Sequence, residues 1–454
     1  MVTYFALITN YFCAIKIIKM KHNIYSITIG FLSFVSILQS QELTYISKSE
    51  VLSKVSQDNQ TIKISEQEFN KAQAEYRQTN AVYLPNITVS HSGIATTNPL
   101  MAFGSKLNQG IVSPSDFNPE SLNNPSQIEN FATKIEVLQP IINIDGIYQR
   151  KAAKSKMEAL SLQQVRTNDY LVLEVDNAYM QLQLAYRGVA VLDKALQTAL
   201  DNKKIADNNF KQGYLQRSDI LNVEIRVAEI QNQLQNAKSN VLNASNYLSY
   251  LMNDNSNVVY MPKDSLSINQ VINNRSIISE NRSDIKAMQL VSNAFEAMNK
   301  ADKMAFLPRL NAFGSYELYD DQIFQGSANG YLFGAQLSWD IFQGSKRFGK
   351  SQQSKAEFEK SKLQYEQYVA QSNLEFNKAK RKLIDAENKL SLTQLALSQS
   401  EESLRIRTNR FKEGLEKTSD MLAAETLYAQ KQLEYYQTIY EYNYALAYVN
   451  FLTQ

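Results

Sequence analysis

The residues of this sequence whose types and spacing could do chemistry lie in two segments that are copies of one pattern. In the first segment Gly213 precedes Ser218-Asp219, and in the second Gly414 precedes Ser419-Asp420. Phe, Lys, Gly, Ser, Asp, Leu and Glu all recur at an offset of 201 residues, the distance from Gly213 to Gly414. Glycine tolerates the left-handed conformation that ends many helices, and a Ser-Asp pair supplies an N-cap side chain and negative charge where a helix begins. Each segment therefore predicts a tight reversal between two helices.

The rest of the sequence contains no recognisable catalytic pattern. It has no Cys, His and Asp cluster with metal-ligand spacing, no glycine-rich phosphate loop and no nucleophile motif. His91 lies in an alternating segment, which favours a structural role. The single cysteine, Cys13, lies in an N-terminal region that we expect to be removed, so disulfide and thiol chemistry are not expected. The sequence thus predicts a protein without enzymatic activity and without a cofactor.

Long helices are predicted on both sides of each reversal. After the first reversal, apolar residues recur every seven positions, with a second column three residues behind, as in a coiled coil. The two columns are Ile220, Val227, Leu234, Val241 and Leu248, and Val223, Ile230, Ala237, Ala244 and Leu251. Of the eight prolines, none lies between Ile141 and Met261 or after Pro308. Because proline costs about 3 kcal/mol inside a helix, these runs predict two antiparallel coiled-coil hairpins.

Charge and hydropathy exclude two classes of protein. The net charge is +2, from 47 basic and 45 acidic residues spread evenly, which argues against a nucleic-acid-binding surface. The mean hydropathy of −0.36 excludes a bundle of membrane-spanning helices. Residues 1–41 differ, because a basic Met20-Lys21-His22 precedes a mostly apolar run from Ile24 to Leu38. This pattern predicts a secretory signal that starts at Met20; the alternative is a membrane anchor formed by residues 1–38.

Four segments alternate between apolar and polar residues and predict strands: 86–93, 131–138, 310–319 and 331–341. No helix is predicted to cover their apolar side, and aromatic residues flank them (Tyr83, Phe306, Tyr331, Trp339 and Phe342). Apolar-out, polar-in strands of about ten residues are typical of outer-membrane barrels, where aromatic residues lie at the interfaces. An open sheet in lipid must close by pairing with further copies of itself. The alternative is a soluble β-sandwich cap.

The order of these elements repeats along the chain. Residues 42–252 form a first half of helix (43–82), strand, long proline-containing loop (96–130), strand and helical hairpin. Residues 253–284 form a polar linker, and residues 285–454 repeat the helix, strands and hairpin. Leu84-Pro85 and Leu307-Pro308 stand at equivalent positions before a strand. Two internal repeats of one architecture are therefore predicted.

This pattern resembles the TolC-type outer-membrane efflux proteins along the chain after residue 41. The resemblance is carried by the duplicated halves, the paired Leu-Pro strand entries, Gln139-Pro140 and Trp339-Asp340 before the long helices, and the Gly-x4-Ser-Asp-x-Leu reversals. It implies an α + β membrane protein, a homotrimer whose twelve transmembrane strands, four from each chain, form one β-barrel. The barrel would continue into a periplasmic tunnel of coiled-coil helices.

The resemblance also implies roles for residues of the reversals. The residues expected to contact a periplasmic adaptor at the tips are Gly213, Tyr214, Leu215, Gly414, Leu415 and Glu416. The residues expected at the gate or constriction are Asp219, Phe411 and Asp420, with Asp420 contributing to an aspartate ring that prefers cations. For the glycines a plain helix C-cap is the alternative, and for the aspartates a helix-start charge. The chain departs from the family pattern at Phe411 and Glu416, where a gate tyrosine and arginine are expected, and at Ala423, where a second acid is expected.

The expected function is that of an exit duct in the outer membrane of a Gram-negative bacterium. It would work with a periplasmic adaptor (membrane fusion) protein and an inner-membrane pump, in a tripartite efflux or type I secretion system, and would contact outer-membrane lipid but not nucleic acid. One alternative is a secreted or periplasmic coiled-coil scaffold. Another is an adhesin or surface receptor that uses the 96–130 loop.

Overall fold

The computed structural model describes residues 43–270 and 277–454. The predicted signal at 1–41 lies outside the described residues. No helix among the described residues is both long and apolar enough to cross a membrane.

The chain contains nine helices and six strands in the described ranges, together with two short 3₁₀ turns. The helices are α1 (Lys48–Asp58), α2 (Gln60–Gln78), α3 (Pro99–Gln109), α4 (Pro119–Asn123), α5 (Ile144–Lys211), α6 (Arg217–Leu251), α7 (Ser283–Met304), α8 (Lys346–Lys412) and α9 (Thr418–Thr453). The strands are β1 (Leu43–Ile46), β2 (Asn86–Thr96), β3 (Ile128–Ile142), β4 (Val259–Pro262), β5 (Arg309–Asp320) and β6 (Ala328–Ser338).

The two predicted hairpins are present as α5 with α6 and α8 with α9. Helices α5 and α8 contain 68 and 67 residues, or roughly 100 Å each at about 1.5 Å per residue. Helix α5 packs against α6 and α9, and α9 packs against α8, so the four helices lie in the order α6, α5, α9, α8. The apolar heptad positions of α6 that the sequence identifies are buried in this packing, among them Ile220, Val223, Ile230, Leu234 and Leu248.

Strands β2, β3, β5 and β6 form one antiparallel sheet in that order. The register places Ile87 opposite Val137, Val137 opposite Gly314 and Gly314 opposite Phe333, so the four predicted apolar sets share one face. Its edge residues are strongly exposed, with Val89 67% and Phe333 77% accessible. The other face is mostly polar, although Ile94, Leu138 and Leu332 also lie on it. The four strands and their faces are therefore as the alternation predicts.

The polar face carries a group of paired charges. Lys134 Nζ lies 3.3 Å from Glu136 and 3.6 Å from Glu317 of the neighbouring strand. These side chains point away from the apolar face because residues alternate along a strand. One sheet thus presents an apolar and a charged surface.

Three regions differ from the sequence prediction. Residues Leu43–Ile46, predicted as helix, form β1, which pairs in parallel with β4 inside the segment predicted as a polar linker. The predicted helix after β1 is two helices, because Asn59 ends α1 and its side chain caps α2 by accepting the N–H of Thr61 at 2.8 Å. The predicted 96–130 loop contains α3 and α4.

Buried charges hold the C-terminal end of α9. Arg282 donates to the carbonyl oxygen of Leu452 at 3.0 Å, and Arg166 donates to that of Phe451 at 3.0 Å. Asp284 receives two hydrogen bonds from Arg282, at 2.7 and 3.0 Å. The last carbonyl groups of a helix have no intrahelical partner, so these arginines satisfy them and tie α9 to α5 and the start of α7.

Candidate hairpin tips and constriction

Both reversals have the same backbone geometry. Gly213 and Gly414 have φ angles of +83° and +70°, in the left-handed region that glycine adopts without a steric penalty. The N–H of Tyr214 donates to the carbonyl oxygen of Asn209 at 2.9 Å, and the N–H of Leu415 makes the equivalent bond, also at 2.9 Å. These bonds define a Schellman motif. The predicted glycine-ended reversals are therefore present in both halves.

The predicted adaptor-contact residues differ in exposure. Tyr214 and Leu415, which directly follow the glycines, are 76% and 67% exposed. Leu215 is half-buried and packs against the cluster formed by Ala206, Ile220, Val223, Phe411 and Met421, which we call the tip cluster. Each tip thus presents one large exposed apolar side chain next to its glycine. Such a group can bury surface against another protein.

Glu416 is held by two arginines. Its carboxylate accepts hydrogen bonds from Arg407 at 2.7 Å and from Arg410 at 2.8 Å. Arg410 also donates to the carbonyl oxygen of Leu415 at 3.1 Å. Charge-assisted bonds of this kind fix the geometry of the groups that they join. The second tip is therefore braced within its own hairpin, by arginines that the sequence analysis did not single out.

The two aspartates occupy equivalent positions but differ in their contacts. The carboxylate of Asp219 accepts the N–H of Gln216 at 3.0 Å, in a capping box. Asp420 is exposed, and its carboxylate accepts a 3.4 Å hydrogen bond from the hydroxyl of Ser419. Helix-start charge is thus a sufficient account of Asp219, whereas Asp420 presents its charge to solvent.

The prediction that the Ser-Asp pairs supply the N-cap side chains is wrong. The N-cap residues are Gln216 and Lys417, because α6 and α9 begin at Arg217 and Thr418, one residue before each pair.

Phe411 joins the two hairpins. It is 1% exposed at the centre of the tip cluster, whose members come from α5, α6, α8 and α9. Its counterpart in the first repeat, Phe210, is 39% exposed. Of the predicted site residues, the structure brings together Leu215 and Phe411 in this cluster.

A buried carboxylate that the sequence analysis did not assign lies deeper between the hairpins. Glu425 of α9 is 2% exposed. One of its oxygens accepts a 2.8 Å hydrogen bond from Asn202 of α5, and the other lies 3.7 Å from Nε of Arg226 of α6. Burial raises the pKa of Glu425, and Asn202 and Arg226 oppose this rise. Glu425 has an equivalent 201 residues earlier, Glu224. This recurrence is the sequence signal that could have identified Glu425.

No group of three or more His, Cys, Asp or Glu side chains in the described ranges is arranged to hold a metal ion.

The chain matches a known protein family. A family model described as outer membrane efflux protein matches residues 51–254 and 275–453. No curated protein matches the chain significantly.

Solved structures of membrane proteins share the fold. The Campylobacter jejuni CmeC outer membrane channel is 18% identical, with a TM-score of 0.76 over 89% of this chain and 85% of that chain. The Vibrio cholerae outer membrane protein VceC is 16% identical, with a TM-score of 0.77 over 89% and 96%. A membrane protein from Pseudomonas aeruginosa is 16% identical, with a TM-score of 0.79 over 90% and 93%. At these identities the likeness shows the fold alone.

Proposed function

The chain belongs to the outer membrane efflux protein family, whose members are channels and not enzymes, and we propose that it forms the exit duct of a tripartite efflux or type I secretion system. Three copies would assemble a twelve-stranded barrel in the outer membrane of a Gram-negative bacterium. Their helical hairpins would extend into the periplasm and meet an adaptor and an inner-membrane pump. Cargo would pass through the duct without chemical change.

The observation that carries this proposal is the four-stranded sheet. Within the described residues, β2 and β6 each have a strand partner on one side only. The apolar face that they border is exposed, and at Tyr331, Phe333 and Leu337 the exposure is 76%, 77% and 65%. A strand edge in lipid must be paired because no water is available to its backbone. Pairing of β6 in one copy with β2 in the next would satisfy both edges and close a barrel.

The hairpins support the periplasmic part of the proposal. Helices of roughly 100 Å place the tips far from the sheet, where a partner anchored in another membrane could reach them. Gly213, Tyr214, Leu215, Gly414, Leu415 and Glu416 are the proposed adaptor contacts. Tyr214 and Leu415 offer exposed apolar surface there.

We further propose that Asp219, Phe411 and Asp420 contribute to the constriction at the periplasmic end. Three copies of the exposed Asp420 around one axis would give the entrance a cation preference, as rings of carboxylates do in other pores. Phe411 is buried in the wall of the proposed duct and would act by holding the two hairpins of each copy together. The brace of Glu416 by Arg407 and Arg410 would take the place of the absent gate arginine.

Two measurements on the detergent-solubilised protein test this function. Native mass spectrometry should give the mass of three chains, and the same preparation should form ion-conducting pores in planar bilayers. A monomer or dimer would contradict the assembly. A protein that is recovered in the soluble fraction without detergent and forms no pores would be the coiled-coil scaffold instead.

A further inference from the structure

The segment between β2 and β3 folds into α3, α4 and a 3₁₀ turn. It lies at the end of the sheet that is far from the hairpins. The side chain of Asn98 accepts the N–H of Met101 at 3.2 Å and caps α3. Lys106 donates to Asp116 at 2.7 Å, and the rings of Phe103 and Phe117 meet edge to face at 5.6 Å. The position of α3 is therefore fixed by its own contacts.

Helix α3 lies against the polar face of the sheet. It contacts β3, β5 and β6. Its Gln109 donates to the side chain of Asn130 at 2.9 Å and to the carbonyl oxygen of Glu129 at 2.7 Å. Asn130 shares the polar face with Lys134, because the two residues are four positions apart on one strand. Asn130 and Gln109 are both buried by this contact.

The amphipathicity of α3 is the reverse of what a surface helix normally shows. Its buried residues are small or polar, namely Ala102, Ser105 and Gln109. Leu100, on the opposite side, is 82% exposed, and Leu107, seven residues later on the same side, is 54% exposed. Met101, also exposed, extends this surface at 50%. Leu100, Met101 and Leu107 form what we call the α3 apolar surface.

The proposed barrel determines what covers this surface; the inference rests on that proposed function. If the apolar face of the sheet contacts lipid, the polar face and α3 lie on the channel side. Twelve strands about 4.8 Å apart and tilted by about 40° enclose a ring of roughly 12 Å radius. A helix with its side chains is about 10–12 Å in diameter. Three such helices inside the rim must touch one another.

We propose that the α3 apolar surfaces of three copies meet across the distal mouth of the barrel and form an apolar exit constriction. The partner of each surface is a second copy of this chain. Leu100 and Leu107 would supply the contact between copies, and the hydrogen bonds of Gln109 would hold each helix to its own sheet. Apolar constrictions gate pores by excluding water. The duct would then have a charged entrance at Asp420 and an apolar exit.

Cysteine cross-linking tests the contact directly. In a Cys13→Ser background, Leu107→Cys should shift the chain from monomer to covalent dimer on denaturing gels after oxidation of the membranes. Glu120→Cys, exposed on α4 and outside the α3 apolar surface, is the matched control and should stay monomeric. Leu100→Gln with Leu107→Gln should raise pore conductance in planar bilayers, because water can then occupy the constriction.

The outcomes separate this inference from the proposed function. A trimer by native mass spectrometry that shows neither Leu107→Cys dimers nor a conductance change in the glutamine variant would overturn the exit constriction and leave the duct intact. Equal cross-linking of Leu107→Cys and Glu120→Cys would also overturn it, since the contact would then be nonspecific. A chain that forms no trimer would overturn both.

Discussion

Replacement of Phe411 by alanine should loosen the second hairpin tip much more than the same change at Phe210 loosens the first. The two phenylalanines occupy equivalent positions in the repeats, but Phe411 is 1% exposed and Phe210 is 39% exposed. Truncation of a buried Phe to Ala costs about 3–5 kcal/mol, including the cavity that it leaves. Phe210 keeps more than a third of its surface in solvent, so its truncation should cost only about 1–2 kcal/mol.

Hydrogen exchange at the tip amides measures this difference. The N–H of Gly414 donates to the carbonyl oxygen of Phe411 at 3.1 Å, and the N–H of Gly213 donates to that of Phe210 at 2.9 Å, so each amide reports on its own tip. Since about 1.4 kcal/mol corresponds to a factor of ten, exchange at Gly414 should accelerate at least about a hundredfold in Phe411→Ala. Exchange at Gly213 should accelerate roughly tenfold in Phe210→Ala. Equal acceleration in the two variants would refute the inference that the tip cluster, and not the turn sequence, holds the second tip.

Three further variants test the proposed site. Replacement of both Gly213 and Gly414 by valine should abolish export while trimers still form, because valine opposes a positive φ and adds bulk at the proposed adaptor contact. Gly349→Val, at a helical glycine with open space around it, is the control. Unchanged export in the double variant would contradict the assignment. Asp420→Asn should weaken cation selectivity and block by multivalent cations in planar bilayers, whereas identical selectivity in variant and parent would leave Asp420 only a helix-start role. Because burial raises the pKa of Glu425, its contribution to stability is complete below the ordinary glutamate range and is lost as the pH rises through the raised value. Glu425→Gln should therefore flatten the dependence of Tm on pH above the ordinary glutamate range, and parallel curves for variant and parent would contradict this role.

The sequence predicts the long helices and the large sheet well because their signals are local. Heptad columns and the absence of proline specify α5, α6, α8 and α9 over many turns. Alternation specifies the two faces of the sheet, and the register confirms them, with Ile87, Val137, Gly314 and Phe333 aligned on one face. These patterns extend over enough residues that tertiary contacts do not override them.

Short elements that depend on distant partners could not be predicted in this way. Strand β1 contains four residues and exists because β4, more than 200 positions later, pairs with it. Helix α3 of the 96–130 segment carries an exposed apolar surface, so the usual amphipathic signal is reversed there. The Ser-Asp pairs lie two residues after the N-cap positions because the helices begin where the backbone geometry changes, at Gln216 and Lys417.

Equivalent residues of the two repeated segments have different surroundings at the hairpin tips. Glu224 and Glu425 hold the same position in the two repeats, yet Glu224 lies 3.5 Å from Lys203 with its side chain 41% exposed, while Glu425 is 2% exposed between the hairpins. Phe210 and Phe411 differ in the same direction. In the second hairpin these positions therefore face the first hairpin, whereas in the first hairpin they face solvent.

This asymmetry has a consequence for how the tips could move. Separation of the hairpins would expose Phe411 to water and would remove Asn202 and Arg226 from the buried carboxylate of Glu425. The Phe411 cluster and the Glu425 contacts bridge the same two hairpins, so they oppose separation together and would break together. The turns themselves are held by backbone bonds within each hairpin and need not change. Any widening at the tips should therefore occur between the hairpins, with each reversal moving as a rigid unit.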